Sequence, residues 1–182
     1  MIEKEKKLDV DAHVTTVLFN DQYKMLYNRR ELKDVSKMTD KDYTPGGMTA
    51  LLDAVGRTIH KMDMVAGIHR KDKGNKVLFV IITDGEENDS KEYTYADVKK
   101  LIKDRQENAG WEFIFLGANI DAAAAAENLG IDRDRAVKYK NTGSGVRANF
   151  KAVAELSDSL AKSGRVSDRW KETVEKDEDD AA

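Results

Sequence analysis

At 182 residues, 40% hydrophobic and 36% charged, the chain is long enough to bury one substantial core and short for two, so one domain is expected. Thirty-one basic against thirty-four acidic residues leave a formal net charge of -3, with the signs interleaved and no basic stripe, which gives nucleic-acid binding no support. The absence of cysteine excludes disulfides, thiolate metal sites and a cysteine nucleophile, and fits a reducing compartment.

The first ten residues, MIEKEKKLDV, carry charge with no apolar stretch behind them, and no segment approaches the roughly 18 apolar residues of a membrane helix. No export signal or membrane association is expected, and cytoplasm is the default location. Ala12 to Asn20, AHVTTVLFN, is rich in β-branched residues and stops at Asn20 and Asp21 before QYKMLY at Gln22 to Tyr27 resumes an alternating pattern; this predicts a hairpin. Thr39 to Met48, TDKDYTPGGM, holds the one proline beside two glycines and must be a loop. A helix should follow, capped by Thr49 or a neighbour, with Leu52, Val55, Ile59 and Met62 forming one apolar stripe to about Val65.

Lys76 to Asp84, KVLFVIITD, contains an unbroken apolar run from Val77 to Ile82, the signature of a central strand covered on both faces. Thr94 to Asn108 places Val98, Leu101 and Ile102 on one helical face, and Glu112 to Gly117, EFIFLG, reads as a second buried strand. Asp121 opens a short alanine-rich helix ending at Gly130, Ala136 to Tyr139 is an edge strand, and Val146 to Ala161 is a helix with Phe150, Val153, Leu156 and Leu160 inward. This βα alternation predicts a doubly wound α/β domain over residues 1–163: a mostly parallel central sheet with helices on both faces. Residues 164–182, ending in the acidic run Asp177 to Asp180, are expected to be a polar, disordered tail, with an acidic interaction tail as the alternative.

Ligands of open α/β sheets bind at the carboxyl ends of the strands, which singles out TPGGMTALLDAVG at Thr44 to Gly56 and FVIITDGEEN at Phe79 to Asn88. The order hairpin, proline-glycine loop ending in threonine, amphipathic helix and apolar strand ending in Thr-Asp-Gly resembles von Willebrand factor type A domains across Ile2 to Leu160. That resemblance implies a Rossmann-like fold and a metal-ion-dependent adhesion site. Thr49 and Asp84 match two of its ligand positions. A hard cation such as Mg²⁺ (or Mn²⁺) wants six oxygen ligands at about 2.1 Å and keeps several waters, so hydroxyls and a water-bridged aspartate suit it. An open position would accept a carboxylate from a partner protein.

The family's Asp-x-Ser-x-Ser loop does not occur in the chain, and Ile2 to Lys7 resembles the last turns of the family's first helix. The resemblance therefore implies an N-terminally truncated domain, through a misassigned start, a real truncation or a cloning boundary. Its first strand would lie between the Ala12 to Asn20 and Val77 to Ile82 strands. Without it, Mg²⁺ binding should be weak or absent, and open strand edges could support self-association.

Glu86, Glu87 and Asp89 could add ligands but match ordinary acidic surface loops. His13, His60 and His69 share no face and receive no catalytic role. Gly143 to Ala148, GSGVRA, imitates a dinucleotide fingerprint on the last βα unit without the acidic residue that motif requires. The functional expectation is a non-enzymatic protein-interaction module with a partial metal site. A metal-free structural or self-associating module is the first alternative, and a nucleotide-binding α/β enzyme using Gly143 and Gly145 is the second.

Overall fold

The computed structural model describes residues 11–36, 38–39, 41–42, 46–68, 76–167, 169–172 and 174–175. Among the described residues, five strands and four α-helices follow one another as β1 (His13–Phe19), β2 (Tyr23–Glu31), α1 (Leu51–Ile68), β3 (Leu78–Thr83), α2 (Tyr95–Ala109), β4 (Glu112–Ala118), α3 (Ala122–Asn128), β5 (Ala136–Tyr139) and α4 (Gly143–Ser163). The fold is mixed α/β. The strands form two ladders, an antiparallel pair β1–β2 and a parallel ladder in the order β3–β4–β5. Among the described residues the expected single sheet is thus found as two ladders, and β3 stands at one end of its own.

The chain divides into two compact units where one domain was expected: the described residues of Lys73–Glu86 with Tyr95–Ala182, and those of Ile2–Asp72 with Glu87–Thr94. We call them the parallel-sheet unit and the hairpin unit.

In the parallel-sheet unit, strand alternation sends Ile114, Leu116 and Ala118 of β4 to one face, where they cluster with Val137 and Tyr139 of β5 and with Ala152, Val153 and Leu156 of α4. Leu78 and Val80 of β3 pack against the same cluster. On the other face Phe113 stacks with Phe79 at 5.2 Å between ring centroids and with Trp111 at 6.1 Å. Gly117 has no Cβ because one built there would stand 2.9 Å from the Ala122 side chain of α3. Helices therefore cover both faces of this ladder, as burial on both sides of β4 requires.

Three sequence expectations change here. Val153, Leu156 and Leu160 are buried as expected, but Phe150, placed inward by its spacing, is 41% exposed, while Asn149 beside it is buried and joins the stripe with Gly145, Ala148 and Ala152. The helix also begins earlier, with the Thr142 hydroxyl accepting from the Gly145 N–H at 3.2 Å. Beyond residue 163, where a polar tail was expected to start, Val166, Trp170 and Val174 still pack into the core. Trp170 is 1% exposed and its indole N–H donates to the Asp134 carbonyl at 3.1 Å. Residues 176–182, with the acidic run, lie outside the described residues.

In the hairpin unit, β1 and β2 pair from His13↔Glu31 to Phe19↔Tyr23, with register irregularities between Val14 and Val17. Arg29 there has φ 47°, and its N–H is satisfied by the Thr15 hydroxyl at 3.2 Å. The Asn20 side chain closes the turn by accepting from the Gln22 N–H at 2.7 Å. On α1, Leu52, Val55 and Ile59 are buried, as the helical stripe predicts. Tyr23 of β2 reaches Thr58 of α1, hydroxyl to hydroxyl, at 3.1 Å. Among the described residues no helix is long and apolar enough to cross a membrane.

Candidate functional site

Helix α1 begins at Leu51, and its orphan N–H groups need partners. Thr49 or a neighbour was the expected cap. Instead, the Leu52 N–H donates to the Glu87 carboxylate at 2.9 Å and the Asp53 N–H to the Ser90 hydroxyl at 3.1 Å. Glu87 also accepts from the N–H groups of Asp89 and Ser90, at 3.0 and 2.8 Å, and from the Ser90 hydroxyl at 2.7 Å. Glu87 is thus consumed by the loop and the helix start, which gives it a structural role in place of a ligand's.

The clasp is reciprocal. Asp53, 7% exposed, accepts from the N–H groups of Lys91, Glu92 and Tyr93 at 3.0, 2.9 and 3.0 Å. Burial alone would raise its pKa; the three N–H donors and the Arg57 charge outweigh burial and hold it below the usual 3.8. Arg57 in turn grips Glu92 with both arms of its guanidinium, at 2.7 and 2.6 Å. Gly56 completes the fit, since a Cβ there would stand 2.5 Å from the Tyr93 ring.

The glycine loop is fixed in the same unit. Gly47 has φ 92°, and a Cβ on it would meet the Asp21 carboxylate at 2.7 Å, so the position excludes other residues twice over. The Asn20 amide donates to the Gly46 carbonyl at 2.9 Å, and the Ala50 N–H donates to the Asn20 carbonyl at 2.8 Å. Thr49 then exchanges two hydrogen bonds with Asn88: its N–H to the side-chain oxygen at 2.8 Å, its carbonyl to the N–H at 3.0 Å. Thr44 and Pro45 lie outside the described residues.

Asp84 belongs to the parallel-sheet unit, so the two residues singled out as metal ligands are described in different units. β3 ends at Thr83, whose hydroxyl donates to the Gly85 carbonyl at 2.9 Å and turns the chain off the ladder. Asp84 is exposed, with the Asn141 amide donating to it at 3.4 Å. Asn141 follows β5 and precedes α4. Gly145 of the GSGVRA segment has a packing reason: a Cβ there would stand 2.1 Å from the Lys140 carbonyl.

Of the remaining candidates, Glu86 is exposed and Asp89 pairs with Lys91 at 3.6 Å. His13 is exposed on β1 with Asp11 at 3.9 Å, and His60 on α1 lies 5.9 Å from the Tyr93 ring. His69 lies outside the described residues. A cleft of about 130 Å³ lies beside Asp21, Tyr23, Asp53 and Arg57, of which Asp53 and Arg57 already serve the clasp. A second, of about 530 Å³, lies at the amino end of β4 and β5; it is lined by the pairs Arg135–Glu112 (3.4 Å) and Lys171–Asp134 (4.0 Å). Sequence reasoning missed Asp53; its one signal was a carboxylate inside the buried stripe LLDAV. Compared with known proteins, the chain matches no family model, no curated protein and no solved structure.

Proposed function

We propose that this chain is a non-enzymatic protein-interaction module of the von Willebrand A type. The observation that carries the reading is the end of β3, where an exposed aspartate stands at the carboxyl edge of a parallel ladder. Glu87 and Asp53 of the hairpin unit are consumed by backbone N–H groups, whereas Asp84 accepts, among the described residues, from the Asn141 amide alone and keeps most of its lone pairs for a partner. The element order and the residues matching the family's threonine and aspartate, Thr49 and Asp84, support the same reading.

Asp84 by itself offers one carboxylate towards the six oxygens Mg²⁺ requires. The module therefore binds Mg²⁺ or Mn²⁺ weakly or not at all when alone. Where the ion does bind, a carboxylate on a partner protein completes its shell, and metal and partner each raise the other's affinity by the same factor.

The test is a panning of carboxylate-bearing peptides against the immobilised chain in Mg²⁺, with an Asp84→Ala arm and a chelator arm. Binders lost in Asp84→Ala support the proposal. Binders indifferent to Asp84→Ala overturn the assignment of Asp84. A metal-free module is the second reading, favoured by the structural employment of Glu87; binders lost in Asp84→Ala but kept in the chelator would select it.

A further inference from the structure

We infer that the Asp84–Gly85 step is a site of spontaneous covalent modification, at which the native chain isomerises Asp84 to isoaspartate. The Gly85 backbone nitrogen attacks the side-chain carboxyl carbon of Asp84 and forms a C–N bond. The carboxyl hydroxyl leaves with the amide proton as water, closing a five-membered succinimide. One water then adds at either imide carbonyl. One opening restores Asp84; the other leaves Gly85 joined through the former side-chain carboxyl, so the backbone gains a methylene and the mass is unchanged. No co-reactant beyond water is needed.

The reaction requires a nitrogen that is free to approach. The chain contains one Asp–Gly step and no Asn–Gly step. Glycine offers the least hindered nitrogen and the most adaptable backbone. The pairing of β3 with β4 ends at Thr83↔Gly117, so Asp84 and Gly85 lie past the last rung of the ladder. Asp84 is exposed, and its carboxylate accepts from the Asn141 amide at 3.4 Å. The Gly85 N–H donates to the Thr83 hydroxyl at 3.3 Å, longer than an ordinary N–H···O bond and to a neutral acceptor.

Elsewhere the corresponding nitrogen is held more firmly. The Ser90 N–H, which would attack Asp89, donates to the Glu87 carboxylate at 2.8 Å. The Thr142 N–H, which would attack Asn141, donates to the Lys140 carbonyl at 2.8 Å, and the Arg135 N–H, next to Asp134, to the Asp132 carbonyl at 2.8 Å. Asp104 and Asp158 lie inside α2 and α4, where the helical ladder fixes the N–H that follows them.

The isomerisation is independent of metal and of any partner. Its consequence for binding rests on the reading of Asp84 proposed above: the free carboxylate of isoaspartate is borne directly on Cα, one methylene closer to the backbone, so a contact made by Asp84 is lost as the chain ages.

The test ages the native chain in neutral buffer and then digests it after lysine and glutamate, which separates Asp84 from Asp89. The peptides are labelled by a protein isoaspartyl methyltransferase with a radiolabelled methyl donor. Labelling after digestion makes the result independent of what covers the folded surface. Label should accumulate with time in the peptide that contains Asp84, without change of mass and ahead of every other peptide. It should be lost in Asp84→Glu, whose longer side chain would have to close a six-membered ring, and reduced in Gly85→Ala, whose methyl group hinders the nitrogen. A chain aged in denaturant gives the rate of the unprotected step. Label at Asp84 in the denatured chain but not in the native one overturns the inference, because the fold then protects the step. Native label that appears first at Asp89 or Asn141 overturns it too. The peptide panning repeated on aged chain reads the partner assignment separately: label without loss of Asp84-dependent binders contradicts that assignment and leaves the isomerisation standing.

Discussion

The two units are held by different forces. The parallel-sheet unit is an apolar core: Phe113, Ile114, Phe115 and Leu116 of β4 are all fully buried, and Trp170 returns from beyond α4 to seal one face. The hairpin unit instead leans on a polar clasp, in which Glu87 caps α1 while Asp53 of α1 holds the backbone of Lys91 to Tyr93. The difference teaches that an acidic residue following a strand end in sequence, as Glu87 does, need not be a ligand. Here two carboxylates are spent on backbone, and a third, Asp84, is left exposed.

Trp170→Ala should give the largest loss, about 3–5 kcal/mol, as a large buried aromatic leaves a cavity and the Asp134 carbonyl loses its donor. Denaturant midpoints measure it. Hydrogen exchange should show the loss of protection in β4 and β5, and an unchanged midpoint would mean that the chain beyond residue 163 adds nothing to the core. Asp53→Ala should come next, at about 2–4 kcal/mol, because three backbone N–H groups lose their acceptor at once. Its exchange signature should fall in residues 91–93 and the first turn of α1.

Gly56→Ala should cost about 1–2 kcal/mol. Overpacking against the Tyr93 ring outweighs the roughly 1 kcal/mol of helix propensity that alanine gains. A more stable Gly56→Ala chain would show that Tyr93 can move aside.

The clasp also predicts an acid limb. Asp53 has a folded pKa below its unfolded one, so its contribution is fully present above the unfolded value and is lost as pH falls through the folded value. Stability in the hairpin unit should therefore decline below about pH 4, and Asp53→Asn should flatten that decline. The smallest effect is that of metal. Mg²⁺ or Mn²⁺ should raise the melting temperature by less than about 1 °C, since stabilisation scales with native-state affinity. A millimolar-range rise that Asp84→Ala abolishes would contradict weak binding.

Much of this fold was legible in the sequence. The hairpin, the Leu52–Val55–Ile59 stripe and the apolar run of β3 all come from local periodicity, which needs no tertiary information. What was missed is non-local. Thr49 looked like the cap because the expected helix started beside it, yet Glu87 and Ser90 cap α1 from more than 30 residues away. Asp53 was missed because its partners, the backbone N–H groups of Lys91 to Tyr93, are equally remote in sequence. Phe150 was misplaced because the inner face near the start of α4 is taken by Gly145, Ala148 and Asn149, small or polar residues that a hydrophobic stripe does not count. The packed segment to Val174 was hidden by its composition, although Val166, Trp170 and Val174 recur at four-residue steps. At the candidate site, Asp84 was visible from the strand-ending Asp-Gly, whereas the employment of its acidic neighbours depends on partners no local pattern shows.

The division of labour between Asp53 and Asp84 is the centre of this account, and one pair of variants tests it directly. Asp53→Asn and Asp84→Asn should be melted side by side at neutral pH without metal. Asp53→Asn should lose about 1–2 kcal/mol, or roughly 2–8 °C, as one of its acceptor oxygens becomes a donor facing donors. Asp84→Asn should stay within about 1 °C of the parent, as an exposed group outside the packing does. A fall in Asp84→Asn as deep as that in Asp53→Asn would make Asp84 a structural residue and contradict its assignment to partner binding.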